Sequence, residues 1–165
     1  MPLTDFDALP DDARVWAFGA DAPLDEVDAP RLLAEVDGFL MTWAAHGQPL
    51  TCARRWRDDR FLLVGVDERA SGASGCSIDG LFRVFKQVEP AIGTSLLPAG
   101  RVFFRDAGGL VHALERGEFV QLAAQGVVDA ATPVFDLTVT TMGDYRARFE
   151  GAAGERWTAA LLPAR

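Results

Sequence analysis

The chain has 165 residues, 49% of them hydrophobic, and a formal net charge of −8. That length suits one domain burying roughly 70% of its unfolded surface, so neither a disulfide nor a metal is needed to hold it together. An acidic chain repels phosphate backbones, which argues against nucleic-acid binding, and no run approaches the ~20 apolar residues of a membrane span.

The opening, MPLTDFDALPDDARVW, carries early acids and no apolar core, so no signal peptide is expected and the expected compartment is the cytoplasm. Ala13 to Ala20 mixes β-branched and aromatic residues and reads as a first strand. An acidic loop follows from Asp21 to Pro30, in which Asp28 can cap a helix with Pro30 in its first turn. Leu32, Val36, Phe39 and Trp43 then share one helical face, and Gly47 is a natural stop. Leu50–Trp56 and Arg60–Glu68 flank Asp58 and Asp59 as a hairpin. Its second strand is almost wholly apolar and is expected at the centre of a sheet. After a glycine-rich loop, Leu81, Phe85, Val88 and Ile92 repeat the helical spacing, which Pro90 should end near Glu89. A second hairpin turns at Gly108 and Gly109, and a short helix closes at Gly126. The stretch TPVFDLTV reads as a last strand, and two short helices end the chain.

The order β-α-β-β-α-β predicts an α+β protein. Its ferredoxin-like βαββαβ core covers 1–113, and a small C-terminal extension, 114–165, packs on that core. In such a core the end of the first helix and the loop before the second lie at the same end of the sheet. That loop, DERASGASGCSID, follows the central strand and is the candidate site.

Cys76 stands just before Ser77, which can cap the second helix. Unpaired backbone N–H groups at a helix start stabilise a thiolate and favour anions. Gly72 and Gly75 let a ligand approach the backbone, and Ser74, Ser77, Asp67 and Asp79 complete the expected ligand-binding set. His46, at the end of the first helix, can act as base or cationic partner to the thiolate, with Asp67 or Glu68 orienting it. The expected partner is a small anionic ligand, or else a partner protein or a second copy of the chain. Cysteine is also a common small core residue, and His46 suits a helix C-terminus without any chemistry.

Cys52 and Cys76 lack zinc or CxxC spacing, and His46 and His112 form no HExxH pair, so no metal or cofactor is expected. Lys86 is the only lysine, and the glycine-rich loop has none to reach a nucleotide phosphate. Arg54, Arg55, Trp56 and Arg57 form one basic aromatic cluster, the sole feature favouring nucleic acid. A solvated hairpin tip, with Asp58 and Asp59 at its turn, is the favoured reading of the cluster.

Four stretches carry a resemblance: ARVW near the start, WAAHG with Leu50, VDE followed by GASGCSID, and VFDLTVTTMGDYRARF. They resemble a family of short bacterial proteins that often bear the label "ABC transporter ATPase". The chain departs from that label in having neither a phosphate-loop lysine nor an LSGGQ signature. The resemblance implies no activity, but its stretches include His46 and the 72–79 loop. Phe119 to Val139 is also similar to small GYF-like adaptor modules, without their aromatic ligand-binding residues in recognisable places.

Overall fold

A computed structural model describes residues 3–45, 47–69 and 75–164, with the side chains of 45 and 75–77 outside the description. The elements run β1 (Arg14–Gly19), α1 (Asp28–Thr42), β2 (Ala44–Ala45), β3 (Gln48–Pro49), β4 (Thr51–Arg57), β5 (Phe61–Asp67) and α2 (Gly75–Ile92). They continue with β6 (Arg101–Arg105), β7 (Val111–Glu115), α3 (Arg116–Ala124), β8 (Pro133–Phe135), α4 (Met142–Arg148) and β9 (Glu150–Ala152). Short 3₁₀ turns at Phe6–Ala8, Ala153–Glu155 and Trp157–Leu161 complete the described chain. The protein is α+β, and its larger sheets are antiparallel throughout. Among the described residues no helix is long and apolar enough to cross a membrane.

The first sheet has the order β1-β5-β4. Its central strand, β5, is buried from Phe61 to Val66 because both faces of the sheet are covered. Strand alternation sends Leu62, Val64 and Val66 to one face and Phe61 and Leu63 to the other. The first set packs with Phe18 on β1 against Leu32, Val36 and Leu40 of α1 and Leu81, Phe85 and Val88 of α2. The second set meets Phe6, Phe103, Phe135, Tyr145 and Phe149. Gly65 belongs to this second face, where an added Cβ would lie 2.4 Å from Leu9 Cδ1. Asp58 and Asp59 turn β4 into β5 with φ of 56° and 55°. Two successive left-handed residues are what a type I′ turn requires, and aspartate visits this region more readily than most; Arg60 follows as a third loop residue before Phe61 pairs with Arg57.

A ferredoxin-like order would place a fourth strand beside β1. That strand, β6, pairs instead with β7 and β8 in a second sheet of order β7-β6-β8-β9. The outer edge of β1 meets Thr140, whose carbonyl accepts the Val15 N–H at 2.9 Å. The 101–115 hairpin therefore goes with 133–135 and 150–152. Its outer face, Val102 and Phe104, packs on Phe119 and Ala123 of α3. The layers run helices, sheet, sheet, helix.

Several element ends differ from expectation. Asp25, not Asp28, caps α1: its carboxylate accepts the N–H groups of Val27 and Asp28 at 2.9 and 2.8 Å. α1 stops at Thr42, and Gly47, with φ +78°, belongs to the small β2–β3 hairpin. α2 starts at Gly75, so Ser77 stands inside the helix rather than capping it, and Asp79 falls beyond the first turn. α2 also runs through Pro90 to Ile92. One lost backbone bond near its end is tolerated because Val88 and Ile92 are both buried and Glu89 O accepts the Gly93 N–H. The last expected helix is a pair of 3₁₀ turns.

Candidate functional site

One end of the first sheet gathers the start of β1, the starts of β4 and α2, and the ends of β5 and α1. Arg14 pairs with Val66 and Thr51 with Asp67 across the strands. Gly80 lies so close to Phe39 that an added Cβ would stand 2.5 Å from Phe39 Cε2. Glycine is what lets α2 begin against the end of α1 there.

Aromatic rings build the wall at this end. Trp43 lies 5.8 Å from Trp16 and 5.3 Å from Phe39, centroid to centroid. The Arg14 guanidinium covers Trp16 at 4.5 Å, a cation–π distance. It also stands 3.6 Å from Glu68, whose Oε1 is buried and makes no hydrogen bond among the described residues. Trp43 is only 5% exposed, and its indole N–H has no acceptor among the described residues. A buried N–H left in that state costs free energy, which a nearby acceptor would recover.

Of the expected site residues, Asp67 ends β5 and is gripped by Arg69 through two guanidinium nitrogens. That guanidinium holds the Asp67 carboxyl below its ordinary range. Asp67 is thereby engaged as a strand-end ion pair. Asp79 is exposed on α2. Gly75, Cys76 and Ser77 begin α2 in the backbone, their side chains lying outside the described residues. His46, Gly72 and Ser74 lie outside the described residues altogether. Cys76 is the second residue of α2, among the four whose N–H groups find no partner inside a helix.

Cys52 has a different character. It is buried on β4, its thiol donates to Leu40 O at 3.4 Å, and burial pushes its pKa up to about 11. It is a packing residue of the core between the first sheet and the helices.

The basic aromatic cluster is neutralised from within. Arg54 forks onto both carboxylate oxygens of Asp37 at 2.7 and 2.8 Å. Arg55 binds Asp7, while Arg57 binds Asp58 and Glu150 at 2.8 and 2.9 Å. Phosphates would have to displace these carboxylates. Arg105 joins the same network through Glu150 and Asp58, tying the second sheet to the first hairpin. His112 stacks on Phe104 and lies 2.7 Å from Asp106. Among the described residues no group of three or more metal-ligating side chains is placed to hold an ion.

The network makes a pH prediction. Burial alone would raise the Asp58 pKa, but hydrogen bonds from Arg105 and Arg57 outweigh it and hold the group below its ordinary value. A depressed carboxyl stabilises the fold above its unfolded pKa of about 4, and that contribution fades as pH falls through the folded value. Asp58→Asn, which tolerates the left-handed backbone, should flatten the fall of stability below about pH 4. Denaturant titrations from pH 7 to pH 3 check this; an unchanged slope would contradict it.

A second feature is an open groove of about 440 Å³ where the second sheet meets the chain's end, floored by Phe103, Phe135 and Leu137 and walled by Trp157. Sequence reading missed it, because its residues come from β6, β8, α3 and the final 3₁₀ turn. The one local sign is a tryptophan, Trp157, in a segment too short to bury it. Comparison of the chain with family models, with curated proteins and with solved structures finds no match in any of the three.

Proposed function

We propose that the end of the first sheet where α1 stops and α2 starts is a binding site for a small anionic ligand, with the Cys76 thiol at its mouth. The observation that carries this reading is the position of Cys76 as the second residue of a helix whose start is packed against the end of α1. Unsatisfied N–H groups there favour an anion or a thiolate. The orphaned Trp43 indole adds a buried donor at the same end. Gly72, Ser74, Gly75 and Ser77 supply the loop, with His46 as the thiolate's partner. Two of the stretches resembling the short bacterial family, WAAHG and VDE with GASGCSID, include His46 and the 72–79 loop, which supports the same placement. The β1-α1-β4-β5-α2 unit is read as a ferredoxin-like arrangement whose fourth strand has been drawn into the other sheet.

The test uses the contrast between the two cysteines. Buried Cys52, with its raised pKa, should not react, so iodoacetamide on the native protein reads Cys76 alone. One thiol should be alkylated, with a rate midpoint below pH 8, and Cys76→Ser should abolish the reaction. The second thiol should react only in denaturant. A native protein with no reactive thiol, or a midpoint near that of a free cysteine, would sink this reading.

A second reading, a non-enzymatic binding module, is favoured by a separate observation, the groove beside Trp157.

A further inference from the structure

The groove has an apolar floor, two arginines at its edge and one acid in its lining, Asp136, whose carboxylate is already engaged by Arg148 and the Thr138 N–H. Phe103 and Phe135 are buried beneath it, while Trp157 stays 46% exposed. Arg101 and Arg116 stand at its edge. They differ in how their charge is met. Arg101 donates to Asp21 at 2.8 Å and to Glu115 at 3.3 Å. Arg116 has no carboxylate partner among the described residues and lies over the Trp157 ring at 4.9 Å. By contrast Arg101 on the same rim and Arg54, Arg55, Arg57 and Arg105 on the two hairpins each hold a carboxylate.

We propose that this groove docks an extended segment of a partner protein that carries an acidic residue beside an aromatic or branched aliphatic one. The apolar side chain packs against Trp157 and the Phe103–Phe135 floor. The carboxylate meets Arg116, supplying the partner that the chain itself withholds. Arginine and tryptophan are both enriched among the residues that dominate binding energy at protein interfaces. An open trough covers too little of a small free ligand to hold it, whereas a segment of chain runs beyond both ends. Apolar surface continues in that way: Leu97, next to Pro98 on the rim, is half exposed, and Val120 stands one turn along α3 from Arg116. This inference is independent of the Cys76 site.

A random nonapeptide library displayed on phage, selected against the full chain, tests it. Enriched peptides should place Asp or Glu within a few positions of Trp, Phe or Leu. The leading sequence, synthesised with a fluorophore, should bind with micromolar affinity by anisotropy. Trp157→Ala should weaken it at least 10-fold, and Arg116→Gln at least 5-fold. The same peptide with its acids replaced by amides should be insensitive to Arg116→Gln, a distinction that mere loss of folding would not produce. Both substituted residues are exposed, and the circular dichroism of each variant should match wild type. No enrichment, a basic consensus, or affinity indifferent to both substitutions would overturn the proposal. A wild-type chain that sediments as a dimer, with a monomeric Trp157→Ala variant, would assign the groove to a second copy and overturn it equally.

Discussion

Replacing Phe61 with alanine should lower the unfolding free energy by about 3–5 kcal/mol, the range for truncating a fully buried aromatic side chain. Phe61 opens β5 with no exposed surface. Alternation points its ring away from the helices, into the space between the sheets. There it meets Phe135 at 4.5 Å, Phe149 at 5.3 Å and Phe103 at 5.4 Å, in tilted and edge-on arrangements. Those three rings come from β8, from the end of α4 and from β6, so one side chain joins the first sheet to three pieces of the second half. The strands on either side are hydrogen-bonded and cannot close over the space, so a cavity remains and adds to the lost transfer energy. For a chain of this size roughly 2–4 °C of Tm accompanies each kcal/mol, giving a fall on the order of 10–15 °C. Urea unfolding followed by circular dichroism measures the loss. Phe61→Leu, which keeps most of the volume, should cost much less. An alanine variant within about 1 kcal/mol of wild type would mean that the second half does not pack on β5 as described.

Much of the architecture was legible from local pattern. The apolar run Phe61–Val66, the Asp58–Asp59 turn and the four-and-three spacings of Leu32–Val36 and Leu81–Phe85–Val88 each follow from rules acting within a few residues. What escaped depends on distant partners. β6 is apolar on both faces, so nothing in Arg101–Arg105 says whether it lies beside β1 or beside β8. β9, Glu150–Ala152, has no strand propensity and exists because Val134 and Phe135 offer it a partner. Asp25, ahead of the expected Asp28, caps α1 because a cap must precede the N–H groups it satisfies. The arginine cluster was visible as charge, yet its neutralisation was not, since Asp37, Asp7 and Glu150 lie far along the chain. The shared end of the first sheet was legible because the direction of each element follows from the order of strands and helices. The groove was not, because Arg116 and Trp157 meet only after α3 and the final 3₁₀ turn pack together.

Arg60 should prove nearly as consequential as Phe61. It stands at the end of the first hairpin, only 7% exposed, and its guanidinium donates to three backbone carbonyls rather than to a carboxylate. These are Val111 O at 2.9 Å, Ala20 O at 3.0 Å and Asp21 O at 2.7 Å. One side chain thereby ties the start of β5 to the loop after β1 and to the start of β7 in the other sheet. Burial lowers its pKa, but an arginine stays protonated throughout the working range. Arg60→Met keeps the length and removes the donors. Each hydrogen bond to a charged group contributes about 1.5–3 kcal/mol, against which the relieved cost of burying the charge must be set, leaving a net loss of about 2–4 kcal/mol. Arg60→Lys should recover little of this, because a single ammonium on a flexible stem cannot span three carbonyls as the planar fork does. Hydrogen exchange should report the damage locally, with faster exchange at Ala20, whose N–H donates to Arg60 O, and at Leu24, whose N–H donates to Asp59 O. If Arg60→Met left stability unchanged and exchange at those amides unaltered, the three carbonyls would have to be satisfied without the guanidinium, and the link between the sheets would rest on the Phe61 cluster and the Arg57–Glu150–Arg105 network alone.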